Sequence, residues 1–304
     1  MAVSHGKAPV RGTQLLVEHM GAVFKRPSLT AIEIGWRWLA GIPILLVLWN
    51  QAQQILAAYP LASSGVSSID SQNPWIAVVQ LAAIWTYYAP HVASVLRWLL
   101  PAAAVFWIVV SGIGRNLLLM RMEPGLRFRP GAMIGLQAAW VGLLALTFWG
   151  WFRSIQWAAA THITASGEPD LVGYMMWAIF LSLGFFTAWA LASWVLSIAP
   201  LLVLLERCSA LSALGRSVRL GKPFTSKLAE INLVMGIAKI ALIVLAMVLS
   251  SAPLPFVDEL GTSSLHVVWA GAAVFYLIAN DYFQVVRLRA FLEFWRIFRV
   301  TTST

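Results

Sequence analysis

Charged side chains are scarce in this sequence. Asp, Glu, Lys and Arg account for 11% of its 304 residues, whereas hydrophobic residues account for 60%. A soluble domain carries about 25% charged residues, so the composition excludes a water-soluble globular protein. The mean hydropathy is +0.78, and several apolar runs exceed the roughly 20 residues that an α-helix needs to cross a bilayer. The sequence therefore predicts an integral membrane protein.

Cysteine is almost absent, since Cys208 is the single one. One thiol excludes a disulfide framework and a cysteine-based metal cluster. No two of the five histidines share metal-ligand spacing; they are His5, His19, His91, His162 and His266. The chain contains no H-E-x-x-H, Walker A, G-x-S-x-G or dinucleotide-binding motif. We therefore expect no catalytic residues, no bound metal and no cofactor, and we do not expect an enzyme.

Six apolar segments predict an all-α, polytopic fold with six transmembrane helices. They cover residues 36–58, 93–116, 132–157, 171–205, 229–251 and 265–288. A further apolar segment, residues 75–89, is short and rich in Trp and Tyr, which are typical of the membrane interface. As a seventh span it would place the basic segment 115–130 opposite the other basic segments. We interpret it as an interfacial helix, with a re-entrant segment as the open alternative.

The net charge of +9 is explained by the distribution of Lys and Arg between the two sides of the membrane. It does not indicate a nucleic-acid partner. With six spans, four segments on one side of the membrane hold 18 of the 21 Lys and Arg residues, namely 1–37, 115–130, 206–227 and 287–304. The opposite loops carry acidic residues, namely Asp70, Glu168, Asp170, Asp258 and Glu259. Lys and Arg favour cytoplasmic loops, so we expect both termini in the cytoplasm and the protein in a bacterial inner membrane.

Two segments lie outside the six spans: a leader, residues 1–35, and a basic tail, residues 289–304. Within the leader, apolar residues recur at near-helical spacing over residues 13–24, namely Leu15, Leu16, Met20, Val23 and Phe24. This spacing predicts a short amphipathic helix that lies on the inner membrane surface. The tail alternates cations with large apolar residues, so we expect it to leave the membrane along the same surface.

The third predicted span begins with the sequence GAMIG, residues 131–135. These residues match the G-x-x-x-G pattern, in which small residues let two membrane helices approach closely. We expect close helix packing at this point.

The segment ALGRSVRLGK, residues 213–222, forms a basic elbow after the fourth predicted span. The candidate ligands for an anionic headgroup or a phosphorylated molecule are Arg207, Arg216, Arg219 and Lys222. Each cation close to an anionic leaflet gains about 1 kcal/mol. We expect Glu206 and Ser217 to organise this elbow, with the Glu206 carboxylate holding the arginines in place. The alternative is that the cations only set the topology and anchor the helix ends.

Polar residues inside the fifth and sixth predicted spans are the second set of candidates. Charged groups in hydrocarbon are costly, and those that occur there are often functional. Lys239 and Asp281 differ in predicted depth by about 6 Å at 1.5 Å per residue, a distance that a lysine side chain can bridge. Asn280 and Gln284 lie near Asp281 in the sequence. Lys239 and Asp281 could form a relay for protons or ions or a purely structural pair, and the sequence leaves both alternatives open.

The elbow also carries a resemblance to a known family. Pro200, then Glu206, then Ala213-Leu214-x-Arg216-Ser217-x-x-Leu220 resembles a pattern in the six-helix bacterial membrane domain of some glycerophosphodiester phosphodiesterases and its stand-alone relatives. The matching stretch covers about twenty residues. The resemblance implies a six-helix fold and a membrane location. It implies no catalytic residue here, because catalysis in that family belongs to a separate phosphodiesterase domain.

Three functions are compatible with these features. The first is a non-enzymatic scaffold or accessory protein whose basic elbows contact anionic lipid, a protein partner or a second copy of the chain. The second is a small transporter or lipid-handling permease that uses Lys239 and Asp281. The third, a membrane enzyme acting on lipid headgroups, has only the basic elbows in its favour.

Overall fold

The computed structural model describes residues 12–64, 74–164, 170–219, 222–251 and 262–302, and within these ranges the regular structure is entirely helical. The α-helices are α1 (Gly12–Phe24), α2 (Pro27–Ala58), α3 (Pro74–Met122), α4 (Pro130–His162), α5 (Leu171–Leu205), α6 (Ala210–Val218), α7 (Lys222–Ser251) and α8 (Thr262–Thr302). A short 3-10 turn, Leu61–Ser64, follows α2. The predicted all-α class is confirmed.

Five of these helices contain stretches long and apolar enough to cross a membrane. The stretches are Pro27–Ala58, Val79–Met122, Pro130–His162, Leu171–Leu205 and Ala229–Val248. The chain is thus consistent with a multi-pass membrane protein. The sixth predicted span, 265–288, lies in α8 and is not among the five. Asn280, Asp281 and Gln284 lower the hydropathy of that stretch, and its membrane crossing stays a prediction.

The chain divides into two compact units. The larger comprises Met1–Gly35 with Gly112–Thr304, and the smaller comprises Trp36–Ser111. In the smaller unit, the Tyr59 ring stacks on His91 with centroids 3.6 Å apart, and the Tyr88 hydroxyl donates to the Tyr59 carbonyl at 2.7 Å. These contacts join the end of α2 to α3.

The helix α3 differs from its predicted form. It runs without interruption for 49 residues, so the segment 75–89 and the predicted span 93–116 belong to one helix. The expected boundary between them is wrong, although Pro90 and Pro101 lie inside the helix. Membrane helices tolerate proline where neighbouring groups compensate for the missing backbone N–H. At 1.5 Å per residue the helix is about 74 Å long, more than twice a bilayer core of about 30 Å.

The buried core of the larger unit collects at one end of the helices. It combines residues of α1 and the start of α2, the C-terminal ends of α3 and α5, the N-terminal part of α4, residues of α6 and α7, and the C-terminal half of α8. Among its fully buried members are Leu118, Met133, Leu202, Ile231 and Phe291. Away from this end, large apolar side chains such as Phe180, Leu183 and Phe186 of α5 are exposed. Exposed apolar side chains are what a lipid-facing surface requires.

The helix α1 has the predicted position but a different environment. It ends at Phe24, and α2 begins at Pro27. Its apolar face, with Leu16 and Val23 buried, packs against α7 and α8, and the Tyr282 hydroxyl donates to the Met20 carbonyl at 2.8 Å. Protein therefore covers Leu16 and Val23 of the face that was predicted to lie on the membrane surface, while Phe24 of the same predicted face is 80% exposed.

The predicted tail is also part of the core. The helix α8 continues to Thr302 with no break at residue 289. Ala290, Phe291, Leu292 and Trp295 are buried in the hydrophobic core. These apolar side chains therefore pack against the protein. In the described part of the tail they do not lie on a membrane surface, as had been expected.

The helices α3 and α4 also meet through a polar contact. Gln137, which is buried, accepts hydrogen bonds from Arg115 Nε at 3.2 Å and Nη1 at 2.9 Å when its amide oxygen faces the guanidinium. Asparagine and glutamine amides commonly join membrane helices in this way. The pair satisfies a buried amide close to the basic end of the bundle.

Candidate functional site

The elbow between α5 and α7 is a tight and well-defined turn. Glu206 caps the C-terminus of α5, and its N–H donates to the Leu202 carbonyl at 2.9 Å. Arg207 follows with φ of 54°, a left-handed conformation that few non-glycine residues adopt. Ser209 then caps the N-terminus of α6, where its hydroxyl accepts from the Ser212 N–H at 3.3 Å. Four residues, 206–209, thus connect the two helices.

An ion pair joins the two ends of this elbow. The Arg216 guanidinium donates to the Glu206 carboxylate. The hydrogen bond, together with the negative charge of Glu206, raises the pKa of Arg216 above its ordinary value. The predicted partner of the elbow arginines, Glu206, is thus paired with Arg216, and its organising role stays a prediction. Because Arg216 is largely exposed, we assign the pair an orienting role and not a large stabilising one.

The short helix α6 has two distinct faces. Ala213 and Ser217 are buried, and the Ser217 hydroxyl donates to the Leu214 carbonyl at 2.8 Å. The outer face carries large apolar side chains, with Leu211 82% exposed and Val218 69% exposed. Apolar side chains in full contact with water are unfavourable, so this face calls for an apolar or interfacial neighbour.

The predicted elbow cations fall into two groups. Arg207, Arg216 and Arg219 are exposed on or beside α6. Lys222 is the first residue of α7, and its side chain lies outside the described residues. The elbow is also tied to the preceding basic connection, because Arg129 Nη1 donates to the Cys208 carbonyl at 3.3 Å.

One of the intramembrane candidates, Lys239, lines a small polar cavity. The cavity has a volume of about 150 Å³, and its polar lining consists of Ser193, Ser197, Asn232, Lys239 and Arg287. These residues come from α5, α7 and α8. From the sequence, Arg287 was predicted only to belong to the basic end of the last helix, and its place in the same cavity as Lys239 was not predicted.

The predicted partners of Lys239 lie on α8. Asp281 and Gln284 are buried, and Asn280 is half-buried. Asp281 is not one of the residues that line the cavity beside Lys239. The pairing of Lys239 with Asp281 stays a prediction.

A second polar cavity lies where α1, the start of α2, the end of α3 and α8 meet. Its volume is about 80 Å³. We call it the arginine cavity, and its charged or titratable lining residues are His19, Arg26, Glu123, Arg289, Glu293 and Arg296. The guanidinium of Arg296 bonds to Glu123 and, at 3.1 Å, to Glu293. None of these residues was a sequence candidate.

The arginine cavity was not predicted from the sequence, because the residues that line it come from segments distant in the chain. One local signal was present. His19 lies three residues after Leu16 and four before Val23, so it shares the buried face of α1. A polar residue on an otherwise apolar helix face needs a polar neighbour in the fold.

No family model, curated protein or solved structure matches the chain. The resemblance of the elbow to the six-helix membrane domain therefore stays a prediction. In the part of the chain that the structure describes, no cluster of three or more His, Cys, Asp or Glu side chains is arranged to hold a metal ion.

Proposed function

We propose that this protein is a non-catalytic, multi-pass protein of a bacterial inner membrane that contacts anionic lipid headgroups through its basic elbow. The observation that carries the proposal is the outer face of α6, which combines exposed arginines with exposed Leu211 and Val218. Such a combination is typical of a helix at a membrane surface, where apolar side chains enter the acyl boundary and cations meet headgroups. A protein partner with an acidic surface is the alternative occupant.

The position of α6 supports the same function. It directly follows α5, one of the five helices apolar enough to cross a membrane, so its first turn lies close to the end of a span. Six spans with both termini in the cytoplasm would place this end at the inner leaflet, where anionic lipids attract nearby basic residues. Among the elbow side chains that the structure describes, the ion pair of Arg216 with Glu206 leaves Arg207 and Arg219 to contact headgroups.

Titration with lipid tests this function directly. We expect the purified protein in neutral detergent to be stabilised by phosphatidylglycerol more than by phosphatidylcholine, as measured by its melting temperature. The double variant Arg207→Gln, Arg219→Gln removes two cations worth about 1 kcal/mol each at an anionic surface. Its apparent affinity for phosphatidylglycerol should therefore fall by roughly 30-fold.

A matched control removes two cations elsewhere. Arg97 and Arg153 are also exposed, and the positive-inside pattern leaves them outside the four basic segments. The double variant Arg97→Gln, Arg153→Gln has the same net charge as the elbow variant. An equal loss of lipid affinity in both variants would contradict a specific role for the elbow.

The alternative function is a small transporter or lipid-handling permease. It is favoured by the polar cavity in which Lys239, Arg287 and Asn232 meet among α5, α7 and α8. Two cationic residues beside hydroxyl and amide groups suit a site that binds an anion or passes a proton. Asp281, buried on α8, would then serve as the acidic member of the relay.

Proton flux in reconstituted vesicles tests this alternative. If Lys239 is part of a relay, vesicles that contain the protein should dissipate an imposed pH gradient faster than protein-free vesicles, as followed with an internal pH-sensitive dye. Lys239→Met should abolish the difference, because it removes the titratable amine. Lys25→Met, which changes an exposed lysine between α1 and α2, should leave the flux unchanged. Equal leakage from vesicles with and without protein would count against the relay.

A further inference from the structure

The arginine cavity has a charge balance that favours an anion. Arg296 bonds to both Glu123 and Glu293, so one cation is shared by two carboxylates. Arg26 and Arg289 add two further guanidinium groups to the lining. Among the described residues, neither of these two arginines forms an ion pair with a carboxylate within 4.0 Å. With a neutral His19, the lining carries a net charge of about +1 by formal count.

The imidazole of His19 supplies an independent observation. The residue is only 8% exposed, and its Nε2 atom is buried without a hydrogen-bond partner. Burial lowers the pKa of His19, and the positive charge of Arg289 lowers it further, against the weaker opposing effect of Glu293 and Glu18. The ring is therefore neutral at pH 7, and a neutral imidazole protonated at Nε2 can donate one hydrogen bond. Buried nitrogen atoms without a partner are rare, and each calls for an explanation.

We propose that the arginine cavity binds a phosphate-type oxyanion, held by Arg26 and Arg289 and by a hydrogen bond from His19. The planar guanidinium fork matches the geometry of phosphate oxygens and donates two hydrogen bonds at once. The bound anion would also give Nε2 the acceptor that the described residues do not supply.

The size of the cavity limits the ligand. A cavity needs a volume of about 10–15 Å³ to hold one water molecule. The arginine cavity, with about 80 Å³, therefore accommodates one tetrahedral oxyanion and is too small for a nucleotide. Free inorganic phosphate and the phosphomonoester headgroup of a lipid share this chemistry. Either source would link α1 to α8, since His19 lies on the first helix and Arg289 on the last.

This site is separate from the elbow that carries the proposed function. The elbow cations Arg207 and Arg219 are exposed on or beside α6, and neither lines the arginine cavity. Binding of phosphate in the cavity and binding of phosphatidylglycerol at the elbow can therefore succeed or fail independently.

Calorimetric titration with inorganic phosphate at constant ionic strength tests the site. We expect saturable binding by the protein in neutral detergent, with no heat signal when chloride replaces phosphate. Arg289→Gln and Arg26→Gln should each weaken the affinity about tenfold or more, because each removes a bidentate, charge-assisted contact. Arg97→Gln, which changes an exposed arginine outside both the arginine cavity and the elbow, should leave phosphate binding unchanged. Arg26 is exposed, so its variant keeps the test usable if Arg289→Gln fails to fold.

A second titration distinguishes the two sources of the oxyanion. Nanodiscs with phosphatidic acid present the same phosphomonoester on a lipid, and nanodiscs with phosphatidylcholine alone serve as the reference. Binding of inorganic phosphate that is weakened by Arg26→Gln supports a free oxyanion as ligand. Preference for phosphatidic acid without phosphate binding, again weakened by Arg26→Gln, supports a lipid headgroup. Binding of neither ligand, or binding unaffected by both arginine variants, would overturn the proposal.

Discussion

Replacing Gly112 by alanine is expected to separate α3 from α4 and to destabilise the larger unit. A Cβ atom at this position would lie 2.9 Å from both the Cα and the N of Ile134 and 2.7 Å from its Cγ1. Two of these three atoms belong to the backbone, so no side-chain rotation relieves the clash. Overpacking of this kind costs about 1–3 kcal/mol, and a larger residue such as leucine should cost more.

The measurement is the melting temperature of the purified protein in detergent, followed by near-ultraviolet circular dichroism. Gly142→Ala in α4 is a matched control, because a Cβ atom there meets nothing within 4 Å. Adding Ile134→Ala to Gly112→Ala should not rescue stability, since the clashes with the Ile134 backbone persist. A melting temperature lowered equally by Gly112→Ala and Gly142→Ala would contradict close packing at Gly112.

The clash also locates the close approach suggested by the GAMIG sequence. Ile134 is the fourth residue of GAMIG, and the small residue that permits the approach is Gly112 on α3. Of the two glycines in the motif, Gly131 has no atom within 4 Å of an added Cβ, and Gly135 has only the Ala210 Cβ at 3.8 Å. The motif indicated the right place for close packing, while the glycine that allows it lies on the neighbouring helix.

Replacing Val23 by aspartate is expected to release α1 from α7 and α8. Val23 is fully buried on the apolar face of α1, and an ionised carboxylate there would lose its hydration without a partner. The cost of burying an unpaired charge is several kcal/mol, more than the packing of a 13-residue helix can be expected to offset. The helix should therefore undock while the other helices keep their structure.

Hydrogen–deuterium exchange of residues 12–24 measures this release. Protection of these amides should fall sharply in Val23→Asp. Val17→Asp, on the same helix but at a position 70% exposed, should change stability by no more than about 0.5 kcal/mol and leave the protection intact. If α1 were held instead by lipid through its exposed residues, Val17→Asp would be the damaging variant. That outcome would contradict the docking of α1 on the protein.

Several features of the protein were predictable because they depend on local properties of the chain. Helices that can cross a membrane follow from long apolar runs, since every backbone group in the bilayer core must be satisfied within the segment. The ion pair of Glu206 with Arg216 was also within reach, because only ten positions separate the two residues and they flank one turn. The end of α1 before Pro27 follows from the constraint that proline places on the preceding residue.

Other features required the packed structure. An apolar helix face is compatible with lipid or with protein, so the spacing of Leu16, Met20 and Val23 predicted an amphipathic helix without identifying what covers it. The continuity of α3 through Pro90 and Pro101 is a similar case, because tertiary contacts decide whether a helix persists past a proline.

The sequence by itself therefore determined the all-helical class, the low share of charged residues and the location of a basic elbow after α5. Hydropathy and charge act residue by residue, so their sums along a segment are visible without a fold. Only the tertiary structure decided that His19, Arg26, Glu123 and Arg289 share one cavity. Contact between residues so far apart in the chain depends on how α1, α3 and α8 pack, and helix packing depends on side-chain shapes that no single segment specifies.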